Sequence, residues 1–202
     1  MHQIQWKGYR QAAGLTTAQW RNMALRDKTL VFAFGTAPTD LPGGRYFDVD
    51  AAVTRIGMDL APGLGQGTAM NLVRLAGAAA LNAIAWADYT ETTVYFGVAE
   101  GIIDGSKCFQ VASGAFDQFE SLLRVVRNSK GREAPTARIT MVNVTEVLRQ
   151  VRANAAAAGL DLGDPFLPPP DSVAFAELLS AGRKMDDERL TAIRTELSSV
   201  TA

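Results

Sequence analysis

The sequence predicts an α+β fold, and three observations support this class. Two short helical runs meet at a glycine near the amino terminus, β-rich runs alternate with amphipathic helices in the middle, and prolines precede a charged carboxyl-terminal region. With 48% hydrophobic and 20% charged residues, the composition is typical of a chain that buries a core. We expect an amino-terminal unit over residues 1–88, a small β-β-α-β-α domain over residues 89–163, and a proline-rich linker with a helical tail over residues 164–202.

The amino-terminal unit begins with two short helices, from Ile4 to Ala13 and from Thr16 to about Leu30. Gly14 lies between them, because glycine readily adopts the backbone conformation of a tight turn. Thr16 or Thr17, directly after the turn, is placed to cap the second helix. Helical spacing turns three apolar side chains of this segment inward and leaves the polar side chains on the outer face. The inward residues are Leu15, Trp20 and Met23.

A turn-rich hairpin is predicted next, with short strands in VFAFG and RYF around a loop that contains Pro38, Asp40 and Pro42. Asp48 is then placed to cap a helix through VDAAVTRIGMDLA, which Pro62 and Gly63 would end. One long Ala-rich helix, from about Thr68 to Ala87, follows. Its small residues would let a second copy of the helix approach closely.

The middle of the chain predicts the order β-β-α-β-α. TTVYFGVAEGI and KCFQVAS flank the turn residues Asp104 and Gly105, which favour a hairpin. AFDQFESLLRVVRN is an amphipathic helix that should pack on this hairpin. ARITMVNV is a third strand, and TEVLRQVRANAAAAGL is a helix. The segment from Asp164 to Ser172 contains consecutive prolines and is predicted to be a stiff linker before one or two charged helices, which are either a solvated tail or a docking segment.

The stretch from Arg10 to Met23 has the order of a helix-turn-helix that reads DNA. This motif needs a tight turn, an apolar residue that fixes the turn to the core, and a second helix that begins with short polar side chains. Hydroxyl and amide groups reach base edges, and arginines reach phosphate or guanine. The predicted DNA-binding residues are Thr16, Thr17, Gln19, Arg21, Asn22, Arg26, Lys28 and, at the tip of the hairpin, Arg45.

The succession YRQAAGLTTAQWRNMALRDKTL and then GGRYFDVDAAVTRIGMDLAPGLG resembles the winged helix-turn-helix of the MerR family over about residues 4–75. The resemblance implies a recognition helix from Thr16 to Arg26, a wing at Arg45 and Tyr46, and a next helix from Asp48 to Leu60. The expected fold is therefore an amino-terminal winged helix-turn-helix, a small α+β domain for dimerisation or partner binding, and a carboxyl-terminal helical tail.

The function expected from these features is sequence-specific regulation of transcription by binding double-stranded DNA. Because one such domain buries limited surface, a homodimer on a palindromic or repeated site is expected. The alternative is an adaptor or antiactivator that keeps the helix-turn-helix but binds a protein, with the carboxyl-terminal half as a further protein-binding region. The longest apolar run, Leu75 to Ala87, is too short to cross a bilayer, and the first residues lack the apolar core of a signal peptide. We therefore expect a cytoplasmic protein that makes no membrane contact.

No catalytic residue, metal site or cofactor is predicted. The chain has one histidine, His2, and one cysteine, Cys108, so Ser-His-Asp chemistry and a zinc site are both disfavoured. GLGQGT lacks the Lys-Ser/Thr ending of a phosphate-binding loop and is predicted to be a turn between helices. An enzyme would have to use the carboxylates of Glu91, Glu100 and Asp104, although such residues beside a hairpin turn are usually solvated. The three tryptophans are expected in the core or in a dimer interface.

Overall fold

The protein has a mixed α+β fold, as the sequence predicts. A computed structural model describes residues 1–26, 33, 46–122 and 124–180. The helices are α1 (Trp6–Ala12), α2 (Thr17–Arg21), α3 (Asp48–Leu64), α4 (Gln66–Leu75), α5 (Gly77–Tyr89), α6 (Phe116–Leu122), α7 (Val144–Ala157) and α8 (173–180). The strands are β1 (Gln3–Ile4), β2 (Tyr46–Phe47), β3 (Val94–Ile103), β4 (Ser106–Ala115), β5 (Val125–Arg127), β6 (Glu133–Pro135) and β7 (Arg138–Asn143). The predicted tail beyond residue 180 lies outside the described residues.

The central sheet is antiparallel and has the strand order β4-β3-β7. The predicted hairpin of β3 and β4 is confirmed, and Asp104 and Gly105 at its turn both have positive φ, as a tight two-residue turn requires. On the other side of β3, β7 pairs from Tyr95↔Asn143 to Glu100↔Arg138. The predicted order β-β-α-β-α is present with two further strands between α6 and β7. The predicted helix AFDQFESLLRVVRN is wrong at its end, because Val125–Arg127 forms β5 and pairs with β6.

The two faces of this sheet contact different apolar clusters. Phe96 and Val98 point into the main core, which reaches from Tyr9 in α1 to Phe175 in α8. On the opposite face, a small cluster forms where Val126 of the β5-β6 hairpin packs closely over Gly101, leaving no room for a side chain at that glycine. The main core is therefore continuous across the predicted boundary between residues 88 and 89.

The predicted single Ala-rich helix is wrong, because α4 and α5 meet at an angle of 82°. Ala76 lies at the break, with φ −102° and ψ 30°, outside the helical region. The bend lets Val73 of α4 and Ile84 of α5 both be fully buried in the core. Tertiary packing thus overrides the high helix propensity of alanine. In the described part of the chain, no individual helix has the length and apolarity needed to cross a membrane, and only this bent pair passes that test when taken together.

The start and the end of α3 also differ from the prediction. Asp48 does not cap the helix but is its first residue, and Asp50 instead accepts a hydrogen bond from the backbone N–H of Phe47 at 3.0 Å. At the other end, Pro62 lies inside the helix, which continues to Leu64 and stops at Gly65. Proline is tolerated because it removes one backbone donor in the final turn only. Gly65 joins α3 directly to α4, which confirms GLGQGT as a turn between helices.

Asp48 is fully buried and joins distant parts of the chain. Its backbone N–H donates to the carbonyl of His2 at 3.0 Å, and its carboxylate accepts from the backbone N–H of Gly163 at 3.0 Å and from that of Val49 at 2.8 Å. A buried carboxylate is stable only with such donors around it. The amino-terminal strand and the segment after α7 are therefore fixed to the same turn of α3.

The segment predicted to be a stiff linker packs on the body instead. Phe166 and Leu167 are 0% and 2% exposed. The backbone N–H of Phe166 donates to a carboxylate oxygen of Asp88 at 2.9 Å, and the hydroxyl of Tyr89 donates to the carbonyl of Leu167 at 3.1 Å. The guanidinium of Arg152 lies 4.4 Å from the centre of the Phe166 ring. The two apolar residues between the prolines explain the difference, because their burial stabilises docking.

Candidate nucleic-acid interface

The turn between α1 and α2 is fixed by backbone hydrogen bonds. Gly14 has φ +70°, a left-handed conformation that favours glycine. The N–H of Leu15 donates to the carbonyl of Arg10 at 2.9 Å, and the N–H of Gly14 donates to that of Gln11 at 3.0 Å. This pair of bonds is the Schellman pattern that ends a helix. The Arg10 guanidinium adds a bond of 2.8 Å to the Leu15 carbonyl, and Leu15 itself is buried, so the turn is held to the core.

The second helix begins with a capping box. The Thr16 hydroxyl accepts from the backbone N–H of Gln19 at 3.1 Å, and the Gln19 amide oxygen accepts from the backbone N–H of Thr16 at 2.9 Å. These bonds use acceptor atoms only, so the Thr16 hydroxyl hydrogen and the Gln19 amide NH₂ are left to donate outward. Of the two predicted capping residues, Thr16 and Thr17, the structure has Thr16 as the cap, and the start of α2 presents hydrogen-bond donors to solvent.

The outer face of α2 is open. Apolar side chains point inward, since Leu15, Met23 and Ala24 are at most 4% exposed and Trp20 is half-buried. The predicted DNA-binding residues in this stretch with a described side chain are all exposed. They are Thr16, Thr17, Gln19, Arg21 and Asn22. The division between inner and outer faces that helical spacing predicts is therefore confirmed, whereas contact with DNA stays a prediction.

The structure gives less information on the other predicted DNA-binding residues and on the predicted wing. The helix continues from α2 into a π-helical turn, Asn22–Arg26, so Arg26 does not follow the regular α-helical spacing of the residues before it. Lys28, Arg45 and, apart from Ala33, the predicted first strand of the wing lie outside the described residues. The predicted second strand of the wing is present as β2, and it pairs with β1. Ile4 consequently lies in a strand and not at the start of the first helix, because its backbone pairs with Tyr46.

Buried polar contacts fix α1 and β2 on α3. The hydroxyls of Tyr9 and Thr54 lie 2.6 Å apart, and the rings of Tyr9 and Tyr46 are 5.0 Å apart. Burial raises the pKa of both tyrosines, so both phenols are uncharged at neutral pH. Asp50 accepts from the N–H groups of Ala33 at 2.7 Å and Phe47 at 3.0 Å. One carboxylate thereby holds two residues that flank the predicted wing loop.

The segment that contains α1 and α2 carries charge of one sign. Residues 1–26 contain four basic residues and no acidic residue. Among the residues that the structure describes, Lys7 and Arg21 are exposed and make no ion pair. Free positive charge beside exposed donors suits an anionic, acceptor-rich ligand such as the DNA backbone.

Trp6 and Trp86 do not lie in the core, and the alternative position expected for the tryptophans, a dimer interface, stays a prediction. Trp6 is 43% exposed, and its ring centre lies 5.0 Å from that of the half-buried Trp20. Trp86, 42% exposed, lies on α5 and outside this region of the chain. Sequence spacing missed the exposure of Trp6 because this residue begins α1, where no earlier helical turn covers it.

Two of the three carboxylates considered for an enzyme, Glu100 and Asp104, are engaged in ion pairs, whereas Glu91 is exposed and has no ion pair among the described residues. Glu100 contacts the Lys107 ammonium at 2.7 Å and the Arg138 guanidinium at 2.8 Å, and these cations lower its pKa, Lys107 most. Asp104 contacts Arg132 at 2.5 Å. Both carboxylates are thus neutralised by cations of the protein itself. Within the described ranges, no group of three or more His, Cys, Asp or Glu side chains is placed to hold a metal ion.

Comparison with known proteins assigns neither a family nor a function to this chain. No family model matches the chain, and neither a curated protein nor a solved structure is similar to it. The geometry of the chain's own residues therefore carries the functional argument.

Proposed function

We propose that the protein is a sequence-specific DNA-binding regulator of transcription that acts in the cytoplasm as a homodimer. The observation that supports it most is the exposed donor face of α2, which follows a hydrogen-bonded turn fixed to the core. Residues 4–75 also resemble the winged helix-turn-helix of the MerR family. A short helix whose outer face carries hydroxyl, amide and guanidinium groups is suited to the major groove.

The roles of the side chains follow from their chemistry. Thr17, Gln19 and Asn22 bear groups that pair with base edges, and Arg21 has the fork geometry that pairs with guanine or a phosphate. Lys7 adds a positive charge that neutralises phosphate without reading sequence. One such helix contacts few base pairs, so two copies on a repeated site supply the affinity.

Arg21 provides the direct test. Duplexes with a randomised central segment are selected on the intact protein, and the enriched duplex is used in fluorescence anisotropy titrations. Replacing Arg21 with alanine should weaken binding about tenfold or more, because a good base contact contributes about 1–3 kcal/mol. The matched control is Arg74→Ala, which removes the same charge from an exposed arginine whose one hydrogen bond within the described ranges goes to Asn71 of its own helix. Its affinity should stay within about twofold of the wild type.

Salt dependence separates DNA binding from artefact. Affinity of the intact protein for the enriched duplex should fall steeply between about 50 mM and 200 mM salt, because phosphate contacts release counterions. If no duplex is enriched, or if the Arg21 and Arg74 variants lose the same affinity, the proposal is wrong.

An adaptor that binds a protein through the same region is the second candidate. The exposed Trp6, whose ring contacts that of Trp20 at a tilt, favours it, because tryptophan is enriched in protein interfaces. The two candidates predict opposite results for Trp6→Ala. If the protein binds DNA, the Trp6→Ala variant keeps its affinity for the enriched duplex within about threefold. If the protein is an adaptor, no duplex is enriched. In affinity capture the Trp6→Ala variant of an adaptor then loses a partner that the Arg21→Ala variant still binds.

A further inference from the structure

A pocket of about 320 Å³ opens beside the end of the central hairpin. Its walls come from α5, the connection to β3, the first residue of β3, the end of β4 and the start of α6. The lining residues are Asn82, Trp86, Thr90, Thr92, Val94, Ser113, Ala115 and Gln118. The volume is at the lower end of the range for small-molecule sites. None of the predicted DNA-binding residues lines this pocket.

Several lining side chains have unused hydrogen-bonding groups, and Asn82 and Ser113 are two of them. Within the described structure, neither the Asn82 amide nor the Ser113 hydroxyl makes a hydrogen bond. By contrast, the Thr90 hydroxyl donates to the carbonyl of Thr92 at 3.2 Å, and the Gln118 amide oxygen accepts from the N–H of Ala115 at 3.2 Å. Amides and hydroxyls both donate and accept, so the free pair suits a ligand that does the same.

Trp86 supplies a flat apolar wall, and its 42% exposure leaves the indole accessible. Val94 and Ala115 supply the aliphatic part of the lining. An aromatic face favours a ligand with a flat C–H or π surface. The rest of the lining contains hydroxyl and amide groups from three different elements, which are placed to bond to the edge of a flat ligand.

The lining contains no charged side chain. Residues next to it in sequence, Glu91 and Asp117, are both acidic and exposed. An anionic ligand would find no cation and two negative charges nearby, and a cationic ligand would find no carboxylate in the wall. The pocket therefore selects a neutral molecule.

We propose that this pocket binds a neutral monosaccharide, with one face of the sugar ring on Trp86 and its hydroxyls on Asn82 and Ser113. A pyranose joins a flat C–H face to hydroxyls around its whole rim, which matches one aromatic wall surrounded by amides and hydroxyls. Few contacts and a small buried area set the affinity, with a Kd on the order of 1 mM. The proposal is independent of DNA binding, because the pocket and α2 share no residue.

The test uses tryptophan fluorescence. The chain has three tryptophans, so the Trp6→Phe, Trp20→Phe double variant reports on Trp86 alone. This variant is titrated with glucose, galactose, mannose and N-acetylglucosamine, and with glucose 6-phosphate, adenosine and uridine as competing ligand classes. At least one neutral sugar should give a saturable change. In this background, Ser113→Ala should weaken the binding of that sugar about fivefold or more. Ser106→Ala, at the exposed other end of β4, should leave the affinity for the sugar unchanged.

Saturation-transfer NMR on the wild-type protein repeats the measurement without substitutions at Trp6 and Trp20. The proposal is overturned if no neutral sugar binds at a sugar concentration of about ten times the expected Kd. It is also overturned if only the nucleosides or the sugar phosphate bind, or if Ser113→Ala and Ser106→Ala change the affinity for the sugar equally. Asn82→Ala gives an independent check, since loss of sugar binding with an unchanged circular dichroism spectrum supports the assignment. Unchanged sugar affinity in a folded Asn82→Ala protein contradicts it.

Discussion

The first 26 residues and the sheet-bearing half of the molecule use charge in opposite ways. In the first region, Lys7 and Arg21 are exposed and make no ion pair within the described structure. In the second, most charged side chains have an opposite charge within 3.0 Å. Such pairs join Glu100 to Lys107 and Arg138, Asp104 to Arg132, Arg127 to Glu133, Glu146 to Arg149, and Arg152 to Asp88 and Asp164.

The difference separates charges that hold the fold from charges that remain for a ligand. An ion pair within the protein already satisfies its members, so an external anion gains little from them. A free guanidinium on an open helix face keeps its full attraction for phosphate. Stability and binding should therefore respond to arginine substitutions in different parts of the chain.

The largest effect is expected from Arg152→Ala. Asp88 is 2% exposed and bonds both to Arg152 at 2.6 Å and to the backbone of Phe166. Removing the guanidinium leaves a buried carboxylate without its cation and takes away the contact over the Phe166 ring. The free energy of unfolding, measured in urea, should fall by about 3 kcal/mol.

Two arginines serve as controls for that measurement. Arg149→Ala breaks an exposed pair and should cost at most about 1 kcal/mol. Arg21→Ala breaks no ion pair and should change stability by less than about 0.5 kcal/mol. Equal losses for Arg152 and Arg21 would remove the contrast between the two regions.

A smaller effect is expected from Thr16→Ala. This change removes the side-chain oxygen that caps α2, and the free energy of unfolding should fall by about 1 kcal/mol. Thr16→Ser keeps the oxygen and should retain the wild-type midpoint of the urea transition. If the alanine variant is as stable as the wild type, the capping box contributes nothing to the free energy of unfolding.

The smallest effect concerns pH and Glu146. Hydrogen bonds from Arg149 and then Gln150 lower the pKa of this carboxyl from 4.5 to about 2. A lowered pKa stabilises the folded state above the unfolded-state pKa, and that contribution is lost as the pH falls from about 4.5 towards 2. The difference in urea midpoint between the wild type and Glu146→Gln should shrink over this range. A difference that stays constant from pH 6 to about pH 2 contradicts the assignment.

Features that depend on a few neighbouring residues could be predicted from the sequence. The Gly14 turn, the Thr16 cap and the Asp104–Gly105 hairpin each follow from local backbone preferences, and all three are present. The open face of α2 likewise follows from helical spacing. The π-helical turn after Arg21 changes that spacing and has no clear local signal.

Features that depend on distant residues could not be predicted. The break at Ala76 exists because both flanking helices bury apolar residues in one core, and the docking of Phe166 depends on Asp88, which is 78 residues away. The pocket had one local signal, since Asn82 and Trp86 share a face of α5. Ser113 and Gln118, however, reach the pocket only through the fold of the hairpin and α6.

The buried carboxylate of Asp48 limits how this protein can be dissected. Its carboxylate accepts from the backbone N–H of Gly163, and the backbone N–H of the same residue donates to the carbonyl of His2, so segments that are far apart in the sequence converge on one residue. A fragment that stops at residue 88 would lack Gly163, so the buried carboxylate would lose that hydrogen-bond donor. The apolar side of α3 would also be exposed to water. Deletion mapping of the DNA-binding and sugar-binding regions would then report misfolding, and single substitutions in the intact chain are the informative route.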